Sequence, residues 1–295
     1  MTGTSRGPIL VLGASGNVGS ALTRTLAADG IEVRAFYDPS TPQIPSFSSG
    51  VVALPGTFDD EAALASAMRD AAAVFMLTPP STSQVRWQQA IADTAHRQRV
   101  QRIVKLSAFE TGPDSPLRMG RWHHAGEAAV AASGCEYVIL RPQYFMQMQL
   151  NALKNAVHTG TYYGGARPDL QMAMVDVDDI AAVAAAALTT SKYQGEVLIP
   201  TGPAALSFDE MAAELATVVG RDIRYAQRPV QEIRNDFSAR GWPDWHIDDY
   251  LLIHGDSASA LVTTCVKDIT GTVPTSFLTF LRRHLKQLSS PLERR

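Results

Sequence analysis

Short apolar runs alternate with helix-spaced apolar positions along the first half of the chain. "PILVLG" is a continuous apolar run closed by glycine, and "SALTRTLAADG" then places Leu22 and Leu26 four apart before Gly30 ends the pattern. The alternation continues through the strands "IEVRAFY" and "VVALPG", the helix "EAALASAMRDA", the strand "AVFMLT", the helix "QVRWQQAIADTAHRQ" and the strand "RIVKLSAF". A helix over "GRWHHAGEAAVAASG" then leads to a last strand, "EYVILRP", stopped by Pro142. Strands that each need a helix to reach the next are parallel and covered on both faces. The expected fold class is therefore α/β, a doubly wound parallel sheet.

Past residue 150 the pattern loosens. "GTYYGGARPDL" is irregular, "MAMVDV" predicts a strand, an alanine-rich helix starts from Asp179, and "EVLIP" predicts another strand. In "ALSFDEMAAEL", Ser207 is followed three residues later by Glu210, the reciprocal capping arrangement that starts a helix. Residues 1–150 are expected to form the doubly wound domain. Residues 151–295 are expected to form a smaller mixed α/β portion, with some segments returning to the sheet. "PSTPQIPSFSSG" (39–50) predicts a loop between two strands, and no internal repeat is present.

With 295 residues, 45% of them hydrophobic and 19% charged, the chain is long enough for a substantial core. Its formal charge of −3, with neither a basic tail nor a basic helix, argues against nucleic acid or anionic membrane as partner and for small molecules. Cys135 and Cys265 are too few for a disulfide framework or a thiolate metal site, which favours reduced thiols in a cytoplasmic setting. "MTGTSRGPILVLG" lacks the apolar run of a signal peptide, and "IAAVAAAAL" is about half the roughly 20 residues of a membrane helix. Monomer and homodimer both stay open.

"VLGASGNVGS" carries Gly13, Gly16 and Gly19 between a strand and a helix. Without side chains, the first two let backbone N–H groups approach a pyrophosphate at the helix N-terminus, and Gly19 lets helix and strand pack closely. Ala14, Ser15, Asn17 and Val18 complete this turn, and Ser15 and Asn17 add hydrogen-bonding groups. The strand before and the helix after are the context such a turn requires, so the sheet is expected to be Rossmann-type and the cofactor NAD(P)H. The ribose 2′ position is read at the end of the second strand, where Tyr37 and Asp38 stand. Asp38 lies nineteen positions after Gly19, and residues 35 to 50 contain no lysine or arginine, which favours NAD over NADP. Arg34 and Arg6 are the cations able to reach round, and Asp38 before Pro39 also suits a simple turn.

Together with "GTFDD", "VFMLTPP", "VKLSAF", "RWHHAGEAAVAASG", "EYVILRPQYFMQ", "MVDVDDIAAVAAAAL" and "TGPAALSFDEMA", the glycine turn resembles the NmrA-like branch of the atypical short-chain dehydrogenases/reductases over nearly the whole chain. The resemblance implies that the adenine lies near Asp59 and that the nicotinamide side runs past Leu77, Thr78 and Pro79. It also implies that Ser107 and Phe145 approach the reactive ring. Two departures stand out. "FYDP" occupies the place where many members carry an arginine suited to a 2′-phosphate. Arg118 and Trp122 occupy the places of the Tyr-x-x-x-Lys pair, whose lysine lowers the pKa of the proton-passing tyrosine in the wider superfamily.

His123 and Glu127 are i and i+4 on one helix face, so the carboxylate is expected to favour an imidazolium and make His123 the candidate catalytic proton donor. The alternative is a helix-stabilising ion pair. His124 is expected at the surface. Phe109, His123, Tyr144 and Met146 are candidate substrate contacts, with Met148 in the same greasy run, and Trp242, Trp245 and Tyr250 close the pocket from the second portion. Asp176, Asp178 and Asp179 fit a helix cap better than a metal, and no metal is expected. The function that follows is hydride transfer from NAD(P)H to a small conjugated or aromatic electrophile such as a quinone, enone or imine. A non-catalytic dinucleotide sensor and a non-redox cyclisation or isomerisation enzyme are the alternatives.

Overall fold

The first strand, β1 (Ile9–Leu12), is buried at all four positions, as a strand covered on both faces must be. The computed structural model describes residues 7–41, 47, 50–255 and 259–292. Most of the Pro/Ser-rich stretch 39–50, and Arg6, lie outside them. After β1 come α1 (Asn17–Ala28), β2 (Val33–Tyr37), β3 (Val51–Pro55), α2 (Glu61–Met68), β4 (Ala73–Met76) and α3 (Gln84–Arg97), followed by β5 (Arg102–Leu106), α4 (Arg118–Ala132) and β6 (Glu136–Leu140). The second portion holds α5 (Leu150–Thr159), β7 (Thr161–Gly164), β8 (Gln171–Met172), α6 (Val177–Thr189), β9 (Val197–Leu198), β10 (Leu206–Ser207) and α7 (Phe208–Val219). It ends with β11 (Arg224–Gln227), α8 (Val230–Ala239), α9 (Asp244–Ile253), α10 (Cys265–Thr270) and α11 (Phe277–Leu288).

The main sheet has seven strands in the order β3-β2-β1-β4-β5-β6-β9, and every pairing is parallel. This is the Rossmann-type doubly wound sheet. The connections reverse direction between β1 and β4, so the C-terminal ends of these two strands flank a crevice. Alternating side chains divide the core. Val104 and Leu106 of β5 join the cluster under α1 and α6, whereas Ile103 joins the cluster under α2, α3 and α4. Lys105 has the parity of Ile103 and is fully buried on that second face. A third cluster, holding Tyr162, Phe208 and Phe280, packs α5, α7 and α11 in the second portion.

Two predicted elements differ. In "MAMVDV" only Met172 enters a ladder, through Gln171–Met172 paired with β10, while Val175 makes a single bridge with Phe145. Surrounding loops take the backbone groups of this segment: Ala173 N–H donates to Ser259 and Val175 N–H to Tyr144 (3.0 and 2.9 Å). The alanine-rich helix starts before Asp179, at Val177, because the buried Asp176 caps it by accepting from the Asp178 N–H. The Ser207–Glu210 capping box is present at the start of α7. Among the described residues no helix is long and apolar enough to cross a membrane.

Candidate active site

The turn from β1 to α1 is shaped by what its glycines exclude. Gly13 has φ +69°, and a Cβ there would sit 2.9 Å from the Leu77 carbonyl oxygen. A Cβ on Gly19 would overlap the Gly13 carbonyl oxygen. Gly16 is the N-cap of α1, no side chain bonds the helix start, and its first turn holds no acidic residue. The helix therefore presents free N–H groups and the positive end of its dipole to whatever lies before it. Ala14 is buried, its N–H donating to the Phe36 carbonyl at 3.0 Å.

A cavity of about 1070 Å³ starts at this turn and follows the strand order across the C-terminal edge of the sheet. Its lining passes from Tyr37 and Asp38 after β2, through Gly13, Ser15, Asn17 and Val18 after β1, to Leu77, Thr78 and Pro79 after β4. Ser107 and Phe109 after β5, then Tyr144 and Phe145 after β6, carry it to a roof made by Trp242, His246 and Ile253. Asp59 also lines the cavity. Its carboxylate accepts from the Trp87 indole N–H (2.9 Å), which holds its pKa below the usual carboxylate range, and pairs with Arg86 at 2.6 Å. The Asp38 carboxylate accepts from the Ser40 side-chain O–H and backbone N–H, which lowers its pKa and makes a local turn. Arg34 is tied to the Ala67 and Arg69 carbonyls at the end of α2 and does not line the cavity.

Three expected contacts besides His123 lie elsewhere. Met146 is 2% exposed and sits in the core of the second portion. Phe145 is followed by a 3-10 turn over Met146–Gln149, which buries Met146 and brings Met148 to the cavity instead. Trp245 and Tyr250 do not line it: Trp245 meets Trp122 edge-on at 4.8 Å, and Tyr250 stacks on His254 at 4.0 Å.

His123 is the largest correction. It does not line the cavity, and it does not pair with Glu127. Lys105 Nζ lies 3.0 Å from its Nδ1, and the Gln84 amide lies 3.3 Å from its Nε2. A Lys105 ammonium donating to Nδ1 leaves the proton on Nε2. The Gln84 amide, turned with its otherwise partnerless Oε1 towards Nε2, accepts it. Burial and the neighbouring Lys105 push the His123 pKa well below 6.5, so the ring is neutral and no imidazolium forms. His124 is half-buried rather than fully exposed.

Glu127 faces the cavity indirectly. It accepts from the Ser107 hydroxyl and is gripped by Arg141, whose Nε lies 2.9 Å from Oε1. Burial raises its pKa, but the hydrogen bonds from Arg141 and Ser107 outweigh that and hold it below the ordinary range. Ser107 lines the cavity, gives its only proton to Glu127 and lies 3.4 Å from the Thr111 hydroxyl, so any further bond it makes is as an acceptor.

Lys105, Arg141, Asp249 and His246 were not singled out from the sequence. The cation inside the apolar run "RIVKLS" was a signal for Lys105, and Arg141 at the end of "YVILR" was another. Asp249 had none. It comes from α9, 3% exposed, and accepts from the Arg118 and Met119 N–H groups at 2.8 Å each, capping α4 across 131 residues of chain. Asp249→Ala is expected to destabilise the fold by about 1–2 kcal/mol, because it removes both cap bonds. Urea unfolding with an unchanged m value checks this.

The NAD(P)H-binding family profile matches residues 13–191. The chain is 28% identical over 280 residues to the NAD(P)H azoreductase of Xenophilus azovorans, covering 94% of this chain and 97% of that one. It is 31% identical over 271 residues to a (4-alkanoyl-5-oxo-2,5-dihydrofuran-3-yl)methyl phosphate reductase of Streptomyces griseus, covering 89% and 93%. The fold matches that of an NADPH-dependent quinone oxidoreductase of Escherichia coli solved with NADPH, at TM-score 0.80 and 22% identity over 94% and 99% of the two chains. The open α1 N-terminus at the β1/β4 crevice, the parallel seven-stranded sheet and these relatives place the chain in the NAD(P)H-binding family, as an oxidoreductase of the atypical short-chain dehydrogenase/reductase kind.

Proposed function

We propose that the chain is an NAD(P)H-dependent reductase acting on a small conjugated or aromatic electrophile of the quinone, enone or imine class. The observation that carries this reading is one continuous cavity, with an open helix N-terminus at one end and an aromatic wall at the other. The cradle fits a dinucleotide: glycines clear the approach to the α1 N–H groups, where Gly13, Gly16, Ser15 and Asn17 would hold the pyrophosphate. Asp59 and Tyr37 would flank the adenosine, and Leu77, Thr78, Pro79 and Phe145 the nicotinamide. When bound, the group supplies a hydride.

The residues of the chain align the partners and exclude water. Ser107, its proton held by Glu127, is left to accept from an N–H donor such as a carboxamide, and Glu127, itself gripped by Arg141, fixes its orientation. α4 contains neither tyrosine nor lysine, so the Tyr-x-x-x-Lys acid is missing. That favours acceptors whose reduced form needs little protonation during transfer. No lysine or arginine among the described residues lines the cavity, which supports NADH binding at least as tightly as NADPH.

The test is consumption of NADH, followed by its absorbance, across quinones, enones and imines. Acceptor-dependent oxidation is the expected result. Binding without consumption in all three classes would overturn the reductase reading in favour of a sensor. A strong NADPH preference in the parallel titration would overturn the cofactor argument.

A further inference from the structure

His246, in the roof of the cavity, is an imidazole covered on both faces. Trp242 stacks on one face with centroids 4.4 Å apart and planes at 13°, and Trp245 on the other at 5.0 Å and 15°. Phe237 backs Trp242 at 4.4 Å, and Trp122 of α4 meets Trp245 edge-on. The stack fixes the plane of the ring, so His246 offers a ligand only its edge, where its two nitrogens lie. His246 lines the cavity. Among the described residues neither ring nitrogen bonds to the protein, and neither is sealed off as the orphaned Gln84 and Gln88 oxygens are.

Burial lowers the His246 pKa below 6.5, against the opposing charge of Asp249 one turn on. The two carboxylate oxygens of Asp249 are occupied by the Arg118 and Met119 N–H groups, and the rings stacked on His246 carry no charge. At neutral pH the imidazole is therefore neutral, with one N–H and one lone pair on its edge. The other lining groups on this side suit proton exchange less well. Gln143 gives an amide hydrogen to Ser259 at 2.9 Å, and burial pushes the Tyr144 pKa well above 10. Trp242 has an N–H but no lone pair with which to regain a proton.

We propose that His246 is a catalytic residue of this site, its ring edge donating a hydrogen bond to the carbonyl oxygen of an enone or quinone whose β-carbon lies at the sheet edge. The proposal rests on the reductase reading above and narrows its acceptor class. The sheet edge lacks the usual acids: α4 has neither tyrosine nor lysine, and the Ser107 proton is given to Glu127. A conjugated carbonyl removes the need for one there. Hydride adds to the β-carbon with the electron pair of the new C–H bond. The C=C π pair shifts into a new double bond to the carbonyl carbon, and the C=O π pair ends on oxygen. Charge thus develops at the far end of the conjugated system, where the His246 N–H gives its proton and the second ring nitrogen takes another from water. In an imine the charge lands on the atom next to the carbon attacked, so it stays at the sheet edge.

The experiment uses the intact chain, with benzylideneacetone as the probe and two readouts. The first is kcat and KM from NADH consumption. His246→Phe keeps a flat ring in the stack but has no nitrogen, whereas His246→Gln breaks the stack but keeps an N–H donor. His246→Phe is expected to lower kcat by about tenfold or more with KM changed by less than about threefold, and His246→Gln to recover part of that loss. The reverse order, with His246→Phe close to the parent and His246→Gln impaired, means that the ring only holds the roof, and overturns the proposal. The second readout is the magnetic resonance signal of the His246 ring nitrogens in protein with isotope-labelled histidine, saturated with unreactive NAD+. The signal is identified by its absence in His246→Gln, and the enone is expected to shift it. A signal left in place overturns the proposal. A shift without NADH consumption by the parent strikes the reductase reading and leaves His246 a substrate-binding group. Consumption with an unmoved signal strikes the His246 proposal alone.

Discussion

Gly19→Val is expected to weaken binding of both NADH and NADPH by about a hundredfold or more while leaving the secondary structure in place. A Cβ at position 19 falls on the Gly13 carbonyl oxygen and lies 2.8 Å from the Gly13 carbonyl carbon and 3.0 Å from the Ala14 Cα. All three are backbone atoms, so no side-chain rotation relieves the overlap. The turn has little room to retreat either, because even a single carbon added on Gly13 would sit 2.9 Å from the Leu77 carbonyl oxygen. Relief must come from lifting the start of α1 away from β1, which misaims the N–H groups proposed to hold the pyrophosphate. Charge-assisted hydrogen bonds contribute about 1.5–3 kcal/mol each, so losing two of them accounts for a hundredfold. Gly16→Ala is the control for folding, since its Cβ meets nothing closer than the Gly13 oxygen at 3.4 Å. Weaker binding there, in a normally folded protein, reports the close approach of the ligand itself. Circular dichroism and calorimetric titration of the two variants separate the effects.

Lys105→Met is expected to raise stability at neutral pH by about 2 kcal/mol or more and to remove a pH dependence present in the parent protein. Burial pulls the Lys105 pKa from 10.5 to about 7, with Glu127 of α4 opposing and Arg141 reinforcing the shift. The other titratable group facing it is the neutral His123. The unfolded chain keeps its proton up to about 10.5, whereas the folded chain gives it up near 7. The unfolded state thus binds more protons between these values, and parent stability rises across that window at up to about 1.4 kcal/mol per pH unit. Below the window the full penalty for the buried charge is present, and above it the penalty is gone. Methionine fills similar space without charge. It leaves His123 Nδ1 without its donor, a cost of about 1–3 kcal/mol that offsets part of the gain. Urea unfolding of both proteins from neutral to alkaline pH checks this. A flat parent profile contradicts the depressed pKa of Lys105.

What was legible in the sequence was local. The β1–glycine–α1 unit and the following alternation read correctly because periods of 2 and 3.6 residues, and glycines at a turn, depend on near neighbours. Ser15, Asp38, Thr78, Ser107 and Phe145 converge on one cavity because parallel strands all end at the same edge of the sheet. The His123–Glu127 pair misled for the opposite reason. Helical spacing put the two on one face, but β5 brought Lys105 to the histidine while β6 led to Arg141 and its grip on the glutamate. Met148 lines the cavity as expected, but Met146 turns into the core through a 3-10 turn that a run of "MQMQ" does not announce. Trp242 was legible as a pocket residue, yet its stack with His246 and the Asp249 cap depend on how α9 docks on α4, which no local pattern encodes.

The measurement that bears most directly on this account is calorimetric titration of the intact chain with NADH and NADPH. The account predicts saturable one-to-one binding, with NADH at least as tight as NADPH, and its loss in Gly19→Val. Failure of both dinucleotides to bind the folded parent protein would contradict it.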